Sequence, residues 1–328
     1  MPNGSTNILL VARKGLKMLR YLTSTLLCVS LLVFQSTTCF SVGQMTSGQE
    51  EWNPPSAGPI TTWTAPLCGK GKFVIQPFFF YNRTRGSFDL DGHYESLSDG
   101  DWKNQFQEQL FAQFGLTDRI EIDCQAVYQQ NCVKIDGERA CSTGFGDSYL
   151  FLRGCALEEK EWLPHVTALF QLKMPTGKYQ KSNPDKLGSD LMGGTTGGGS
   201  WDPGFGINLT KHIKPFILHA DASFSYPQLV RVDGVKTIYG QYVNYDFGVE
   251  YFLSKGFNLM IETNFLSQGD RWQDGDKISS SDIKYFMFTP GIGWSDDKIQ
   301  MLLTYQRVMT GVNTDANDSV ISTFVYTF

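Results

Sequence analysis

The feature that most constrains the fold is a repeated alternation of polar and apolar residues over segments of about ten to fourteen residues. In the third such segment, Ile120 and Ile122 lie on one face of an extended strand, and Glu121 and Asp123 lie on the other. A period of two residues predicts strands with one apolar and one polar face. We count twelve segments, which are residues 72–84, 103–116, 119–132, 146–157, 164–175, 201–213, 215–228, 241–253, 256–268, 283–295, 298–310 and 318–328.

The connections between these segments alternate in length. Those after the even-numbered segments are short, such as Thr117-Asp118, and those after the odd-numbered segments are longer, up to residues 176–200. Transmembrane barrels have this pattern, because short periplasmic turns alternate with long external loops. No water pairs with backbone groups in hydrocarbon, so the sheet must close on itself. The sequence therefore predicts an all-β fold, a transmembrane antiparallel β-barrel of about 12 strands over residues 72–328, with both termini periplasmic.

The composition excludes several other classes of protein. Hydrophobic residues make up 41% of the chain, which is too many for a disordered chain with a net charge of only -5. This mildly acidic balance argues against a nucleic-acid partner. No run of roughly 20 apolar residues follows residue 50, so helical membrane spans are not expected. The aromatic content of 14% suits a barrel, whose aromatic side chains gather at the two membrane interfaces.

The N-terminus has the features of a secretory signal. The apolar run Leu26–Phe34 is too short to span a bilayer but suits a signal-peptide core, and small residues follow it. We predict a signal peptide at residues 1–41, with cleavage after Cys39 or Ser41. A lipoprotein acylated at Cys39 and an uncleaved anchor are the alternatives. The basic residues that precede the apolar run are Arg13, Lys14, Lys17 and Arg20.

Residues 42–71 contain four prolines and two large anchoring side chains, Trp52 and Trp63. We expect a Pro-rich periplasmic N-terminal segment here, and the sequence leaves open whether it plugs the barrel. At the other end of the chain, three aromatic residues share one face of the last strand. They form a candidate signal for the barrel assembly machinery and are Phe324, Tyr326 and Phe328.

Residues 144–226 carry a further set of motifs. They include Gly144-Phe-Gly-Asp147, then Lys173-Met-Pro-Thr-Gly177, then Gly199-Ser-Trp-Asp202 before a Gly-rich strand. This region resembles the family of outer-membrane proteins named for the meta-pathway of phenol degradation. The resemblance implies an outer-membrane barrel with a role in transport of small, aromatic compounds. It supplies no catalytic residues and no cofactor.

The polar faces of the predicted strands supply candidate pore-lining residues. Acidic side chains outnumber basic ones, which favours a weakly cation-preferring pore. The alternative is a set of salt bridges between strands that fills a polar interior. The candidates are Glu121, Asp123, Asp147, Arg153, Lys173, Asp202, His219, Asp221, Asp246, Glu250, Glu262 and Lys284.

Two external connections have features of their own. The Gly-rich residues 176–200 lack the strand-to-helix context of a phosphate-binding loop, so we expect a mobile external loop, and the sequence leaves open whether it folds over or into the pore. Cys132 and Cys141 flank the second external connection and are a candidate disulfide, whereas Cys124 is expected to face lipid. The cysteine spacing does not suit a zinc site.

The resulting prediction is passive or facilitated passage of small solutes, with aromatic or hydrophobic compounds as candidates. The alternative is a structural or surface-interaction protein whose external loops bind a ligand. A barrel enzyme is the third hypothesis, because His219 shares a face with Asp221 and Ser223, and His93 lies near two aspartates. We expect no enzyme activity, cofactor or metal. The expected partners are outer-membrane lipid, the assembly machinery and a small-molecule solute, with the outer membrane as the location.

Overall fold

The computed structural model describes residues 52, 54–56, 58–180, 195–253, 255–296 and 298–328. Residues 52–328 form one compact unit. The predicted signal peptide at residues 1–41 lies outside the described residues and stays a prediction. In the described part of the chain, the structure contains no helix of the length and apolar character that a membrane crossing requires.

Strands form the whole of the regular structure in these ranges. The strands are β1 (Phe73–Phe88), β2 (Tyr94–Ser96), β3 (Trp102–Thr117), β4 (Ile120–Ile135), β5 (Glu138–Phe145), β6 (Ser148–Leu157), β7 (His165–Met174), β8 (Asp202–Ile213), β9 (Phe216–Ser225), β10 (Val230–Val232), β11 (Val235–Ile238), β12 (Tyr242–Phe252), β13 (Phe257–Gln268), β14 (Trp272–Gln273), β15 (Asp276–Lys277), β16 (Ile283–Ser295), β17 (Ile299–Val312) and β18 (Thr314–Thr327).

The main sheet closes into an antiparallel barrel of twelve strands, which confirms the predicted fold class. Each strand of the wall pairs with the wall strands that precede and follow it in the chain, and β18 pairs with β1, so that Tyr81 lies opposite Val320. β5 and β6 both pair with β4 and together make one strand of the wall, interrupted at residues 146–147. Closure pairs the first strand with the last, so neither is left as an edge strand.

The two ends of the barrel differ. One end, here called the terminal end, holds Phe73, Phe328 and the short turns between strands. The opposite end, here called the loop end, holds the longer connections, two of which pair as a small sheet of β10, β11, β14 and β15. This arrangement follows the predicted alternation of short and long connections except at two places.

Two predicted long connections are wrong. After the third predicted segment, the strands continue to a tight turn at Asp136-Gly137, and after the eleventh, Asn313 alone separates β17 from β18. Asp136 and Asn313 have positive φ angles of 52° and 49°, which Asn and Asp tolerate better than other side chains. The sequence of these stretches continues to alternate, so the strands extend past the predicted ends and pair as hairpins.

Side chains alternate between the two faces of the wall. Outward residues such as Phe79, Tyr245 and Ile261 are about half exposed, at 44%, 54% and 51%. The inward Glu262, next to Ile261, is 0% exposed. An apolar outer face is what lipid requires, and a polar inner face is the rule for such barrels.

The structure corrects one predicted pore-lining residue. Lys284 shares the outward side of β16 with Phe286 and Phe288, and its amine lies 3.0 Å from Asp282 rather than in the lumen. Tyr285 and Met287 point inward, so this stretch of β16 carries apolar or aromatic residues on both faces. The sequence here lacks the polar–apolar alternation that would show which face Lys284 occupies.

The structure also describes the three cysteines for which the sequence makes a specific prediction. Cys132 and Cys141 are joined by a disulfide across the β4–β5 hairpin at the loop end. Cys124 is a free thiol on the exposed outer face, at a position of β4 that faces lipid in a membrane-spanning barrel.

Candidate functional site: the lumen and its inner segment

The lumen contains the chain that precedes β1. We call the described residues between 52 and 72 the inner segment. It begins at the terminal end, where the Trp52 ring packs 5.8 Å from Phe252. It reaches the middle of the barrel at Ile60, whose amide contacts Glu262 midway along β13. It then returns to the terminal end, where Cys68 contacts Glu121 near the start of β4.

Glu262 holds the deepest part of the inner segment. Its carboxylate accepts hydrogen bonds from the backbone amides of Ile60, Thr61 and Thr62 at 2.8, 2.9 and 2.9 Å. The hydroxyls of Thr61 and Thr62 donate to the same carboxylate at 2.6 and 3.0 Å. Successive backbone amides in a turn form a concave site for an anion, and hydrogen bonds to a charged acceptor are the strong ones. These five donors compensate the burial of Glu262 within the barrel wall.

Arg153 makes a second anchor. One guanidinium nitrogen lies 2.7 Å from Glu121, and another donates to the backbone oxygen of Thr64 in the inner segment. The same guanidinium stands 5.0 Å from the ring centroid of Trp63, within the range of a cation–π contact. Glu121 also accepts the Cys68 amide at 2.6 Å. Arg153, only 1% exposed, therefore joins the wall to the inner segment at several points.

A third anchor is a row of three buried side chains. The Thr210 hydroxyl accepts the Ala65 amide at 2.9 Å and lies 3.0 Å from Nδ1 of His219. Nε2 of His219 lies 3.0 Å from Glu250, which accepts a hydrogen bond from the Ser56 hydroxyl at 2.7 Å. Because the Thr210 oxygen accepts one proton, its own proton can go to Nδ1, and Nε2 then donates to Glu250.

This row resembles the hydroxyl, imidazole and carboxylate of a hydrolase triad. All three members are nevertheless buried, with 1% of Thr210, 3% of His219 and 0% of Glu250 exposed. Both ends of the row contact the inner segment. The arrangement is therefore better suited to holding the segment than to attacking a substrate. His219 does share the inner face of β9 with Asp221 and Ser223, as predicted, but the hydrogen-bond partners of its ring are Thr210 and Glu250.

Other predicted residues lie on the same wall. Asp221 accepts the Trp63 amide at 2.8 Å, and Asp246 lies directly across from Asp221 on the neighbouring strand. Asp123 lies 3.9 Å from the nearest nitrogen of Arg153 and makes no hydrogen bond with its side-chain oxygens in the part of the chain described. These acidic residues form an acidic wall on β4, β8, β9, β12 and β13, and β6 and β7 place the cations Arg153 and Lys173 within it.

A separate ionic cluster lies toward the loop end. The amine of Lys173 is 2.6 Å from Asp202 and 3.6 Å from Asp147. Asp147 also accepts the backbone amides of Gly177 at 3.1 Å and Gly198 at 2.8 Å. The two described ends of the Gly-rich connection therefore fold inward over the lumen. Residues 181–194 of this connection lie outside the described residues.

The opposite side of the inner segment meets an apolar layer. Trp63 packs edge-on to Phe111 and Phe151, with centroids 5.5 and 4.9 Å apart. The alternation in β1 predicts the inward position of Phe78 and Phe80, but nothing in the sequence shows that these rings join residues of other strands in one layer. The layer contains Ile60, Phe78, Phe111, Phe151, Leu169, Met260, Leu302 and Ile321, with Trp63, Phe80 and Tyr149 at its margin.

Apart from Lys284, the predicted pore-lining residues lie on the inner side of the wall. The inner segment contacts five of them, which are Glu121, Arg153, Asp221, Glu250 and Glu262. Reasoning from sequence missed the segment's own backbone amides as their partners. It also missed Thr167 and Thr210, whose hydroxyls contact Ala65. The signal that could have revealed these partners is the excess of acidic over basic side chains on the inner faces, because the unpaired carboxylates then need uncharged hydrogen-bond donors.

Searches against family models and curated proteins find no match for this chain. Among solved structures, the COG4313 outer membrane channel from Pseudomonas putida F1 superposes with a TM-score of 0.65 at 16% identity, covering 85% of this chain and 100% of that one. The translocator domain of the autotransporter NalP from Neisseria meningitidis gives 0.43 at 10% identity, covering 79% and 88%. The CymD monoaromatic hydrocarbon channel gives 0.37 at 8%, also covering 79% and 88%.

The last two superpositions are too loose to support an argument. The first one, at low identity, shows a shared fold: the chain has the architecture of an outer-membrane β-barrel. The family resemblance of residues 144–226 stays a prediction.

The contacts of Glu262 make a prediction about the inner segment. Glu262→Gln removes the charge that strengthens five hydrogen bonds, so the amides of residues 60–62 should exchange with deuterium at least about tenfold faster. Hydrogen exchange with mass spectrometry of the purified protein measures this. The matched control is Glu108→Gln, since Glu108 lies exposed on the outer face. Unchanged protection of residues 60–62 in the Glu262→Gln variant would contradict the anchoring role.

Proposed function

We propose that this protein is an outer-membrane channel for small solutes, and that the inner segment closes it. The support is a closed barrel with a polar inner face and an apolar outer face, in a fold shared with an outer-membrane channel. In this proposal the terminal end is periplasmic, and the loop end faces outward. Short turns on one side and long loops on the other are the usual orientation of such barrels.

The observation that carries the proposal is the way in which the inner segment is held. The segment forms no strand with the wall, and its polar contacts run mainly through backbone groups to side chains of β4 to β13. Segments that dock through side-chain contacts, outside the backbone hydrogen-bond network of the sheet, open at lower free energy than the strands themselves. The segment can therefore leave the lumen while the barrel wall stays intact.

The lining suggests the class of solute. A barrel of this size has a narrow interior. At the level of Ile60 the inner face presents Phe78, Phe111 and Phe151, and nearer the loop end it presents amides such as Gln105 and Asn131, 2.8 Å apart. Aromatic rings attract apolar and aromatic solutes, and side-chain amides form hydrogen bonds with the polar groups of such solutes. We infer small, weakly polar or aromatic compounds as the solutes.

The alternative is a structural or surface-interaction protein. It draws support from the filled lumen and from the small sheet at the loop end, where Ile238 and Trp272 are exposed. The two functions differ in one respect, because only a channel requires the inner segment to move.

We also propose a role for the C-terminal aromatic residues in assembly. Phe324 and Phe328 are exposed, at 37% and 67%, on the strand that closes the barrel. The Phe328 ring packs 4.7 Å from Tyr326 and 5.7 Å from Phe73 of β1. These rings lie where the last strand meets the first, which suits a signal read by the assembly machinery during closure.

Deletion of residues 54–66 should open the channel. The deletion removes the part of the inner segment that fills the lumen and leaves the wall strands unchanged. In planar bilayers the mean current should rise at least about tenfold, since a change of about 1.4 kcal/mol already shifts a closed–open equilibrium tenfold. Glu108→Gln should conduct like the unmodified protein. Absence of current and of liposome swelling in the deletion variant would favour the structural alternative.

The open channel should prefer cations. Withdrawal of the inner segment removes the donors of Glu262, the Trp63 amide from Asp221 and the Ser56 hydroxyl from Glu250, and it leaves the lumen with an acidic wall. The reversal potential of the deletion variant in a salt gradient measures the preference. Adding Glu250→Gln and Glu262→Gln should reduce it, whereas adding Glu108→Gln should leave it unchanged. A reversal potential that indicates anion preference would contradict this prediction.

A further inference from the structure

The outer face of the wall carries an arginine patch where β1, β18 and β17 meet. Arg83 lies directly opposite Asp318, and Asp318 lies directly opposite Arg307, so the three residues form one row across three strands. All three project outward, because their neighbours Thr84, Ser319 and Val308 point into the barrel. We call Arg83, Arg85 and Arg307, grouped around Asp318, the arginine patch.

The charges within the patch do not balance. Asp318 lies 2.9 Å from Nε of Arg85 and 3.6 Å from Nε of Arg307. Arg85 also donates to the backbone oxygen of Val308 at 2.9 Å, which holds its side chain against the wall. Arg83 is exposed and has no ion pair or side-chain hydrogen bond with the rest of the described chain. One carboxylate faces three guanidinium groups, so two positive charges remain.

The patch lies at one edge of the apolar outer band. From Ile299 to Arg307 the chain advances eight residues of about 3.4 Å, which at a strand tilt of about 40° spans about 20 Å along the barrel axis. Such bands are about 25 Å tall, and charge within them is costly. Measured from Ile299, the patch therefore lies within about 5 Å of the upper edge of the band, where guanidinium groups on long side chains can reach the headgroups. The outward rows below it are Tyr81, Val320 and Tyr305, then Phe79, Ser322 and Leu303, then Phe324 and Met301, then Ile75, Tyr326 and Ile299.

We propose that the arginine patch binds a phosphate group of a glycolipid in the outer leaflet of the outer membrane. Guanidinium groups match phosphate oxygens in a bidentate geometry, and Arg83 and Arg307 have free donors to offer. Tyr81 and Tyr305, exposed at 48% and 42%, lie just below and can contact the sugar and the start of the acyl chains. The choice of leaflet rests on the orientation in the proposed function.

The test is native mass spectrometry of the full-length barrel released from detergent micelles. The probes are bisphosphorylated lipid A, the same lipid with its phosphates removed, a phospholipid with one phosphate, and inorganic phosphate. The variant is Arg83→Gln with Arg307→Gln. The matched control is Arg119→Gln with Arg231→Gln, which removes the same charge from the terminal end and from the small sheet.

Bisphosphorylated lipid A should bind the unmodified protein and the control equally, and the patch variant at least about tenfold more weakly, as expected for lost charge-assisted hydrogen bonds. Removal of the phosphates from the lipid should weaken binding to the unmodified protein to a similar extent. A shift in gel migration on boiling shows that each variant is folded.

Three results would overturn the proposal. They are equal lipid binding by the patch variant, full displacement of the lipid by inorganic phosphate, and equal binding of the singly phosphorylated phospholipid, which would remove the preference for the outer leaflet. Conductance is measured separately. If the barrel conducts but does not bind the lipid, only the proposal for the arginine patch fails. If it binds the lipid but does not conduct, only the proposed channel function fails.

Discussion

Pairing between β1 and β18 is the contact on which the rest of the structure depends. In hydrocarbon each unpaired backbone group costs several kcal/mol, so a membrane-spanning sheet is stable only when its first and last strands join. Closure of an antiparallel sheet of twelve strands brings Phe73 and Phe328 to the same end of the barrel. It also forces every strand to alternate between a face for lipid and a face for the lumen.

Closure creates a second requirement, because the lumen must be filled or hydrated. The inner segment meets it from both sides. Its backbone amides satisfy Glu262 and Asp221, which would otherwise be buried carboxylates without cations, and Trp63 covers the aromatic layer opposite. The acidic wall and the inner segment thus depend on one another. If the segment leaves, water must solvate the carboxylates, and the lumen becomes a polar passage. The acidic side chains that hold the inner segment in the lumen are therefore the ones that line the passage once the segment has left.

Much of the wall could be predicted from sequence, because alternate side chains of a strand point to opposite faces and the polar and apolar residues follow that period. The inward position of Glu121 and Glu262 and the outward position of Cys124 follow directly from it. The prediction failed for Lys284, where apolar residues occupy both faces of β16. The lengths of two connections were also wrong, since hairpins extend beyond the segments that were counted.

The path of the inner segment could not be predicted in the same way. Pro-rich residues without periodicity dock here through backbone amides, such as those of Ile60 and Ala65, and backbone groups leave no trace in the sequence. The partners of the acidic residues were sought among cations, and only Arg153 and Lys173 met that expectation. The arginine patch was missed because Arg83 and Arg307 are far apart in the chain and meet only through strand register.

The central claim is that the inner segment must move for solute to pass, and a reversible disulfide tests it most directly. A Cβ at Gly248 would lie 3.3 Å from Oγ1 of Thr62 and 2.7 Å from Cγ of Pro59. The variant Thr62→Cys with Gly248→Cys therefore also carries Pro59→Ala, which removes the clashing atom and leaves the two new thiols adjacent. Single-channel recording should show no openings of the oxidised variant and openings like those of the unmodified protein after reduction. The unmodified protein under the same reductant controls for the Cys132–Cys141 disulfide. Equal conductance of the oxidised and reduced variant would contradict the account.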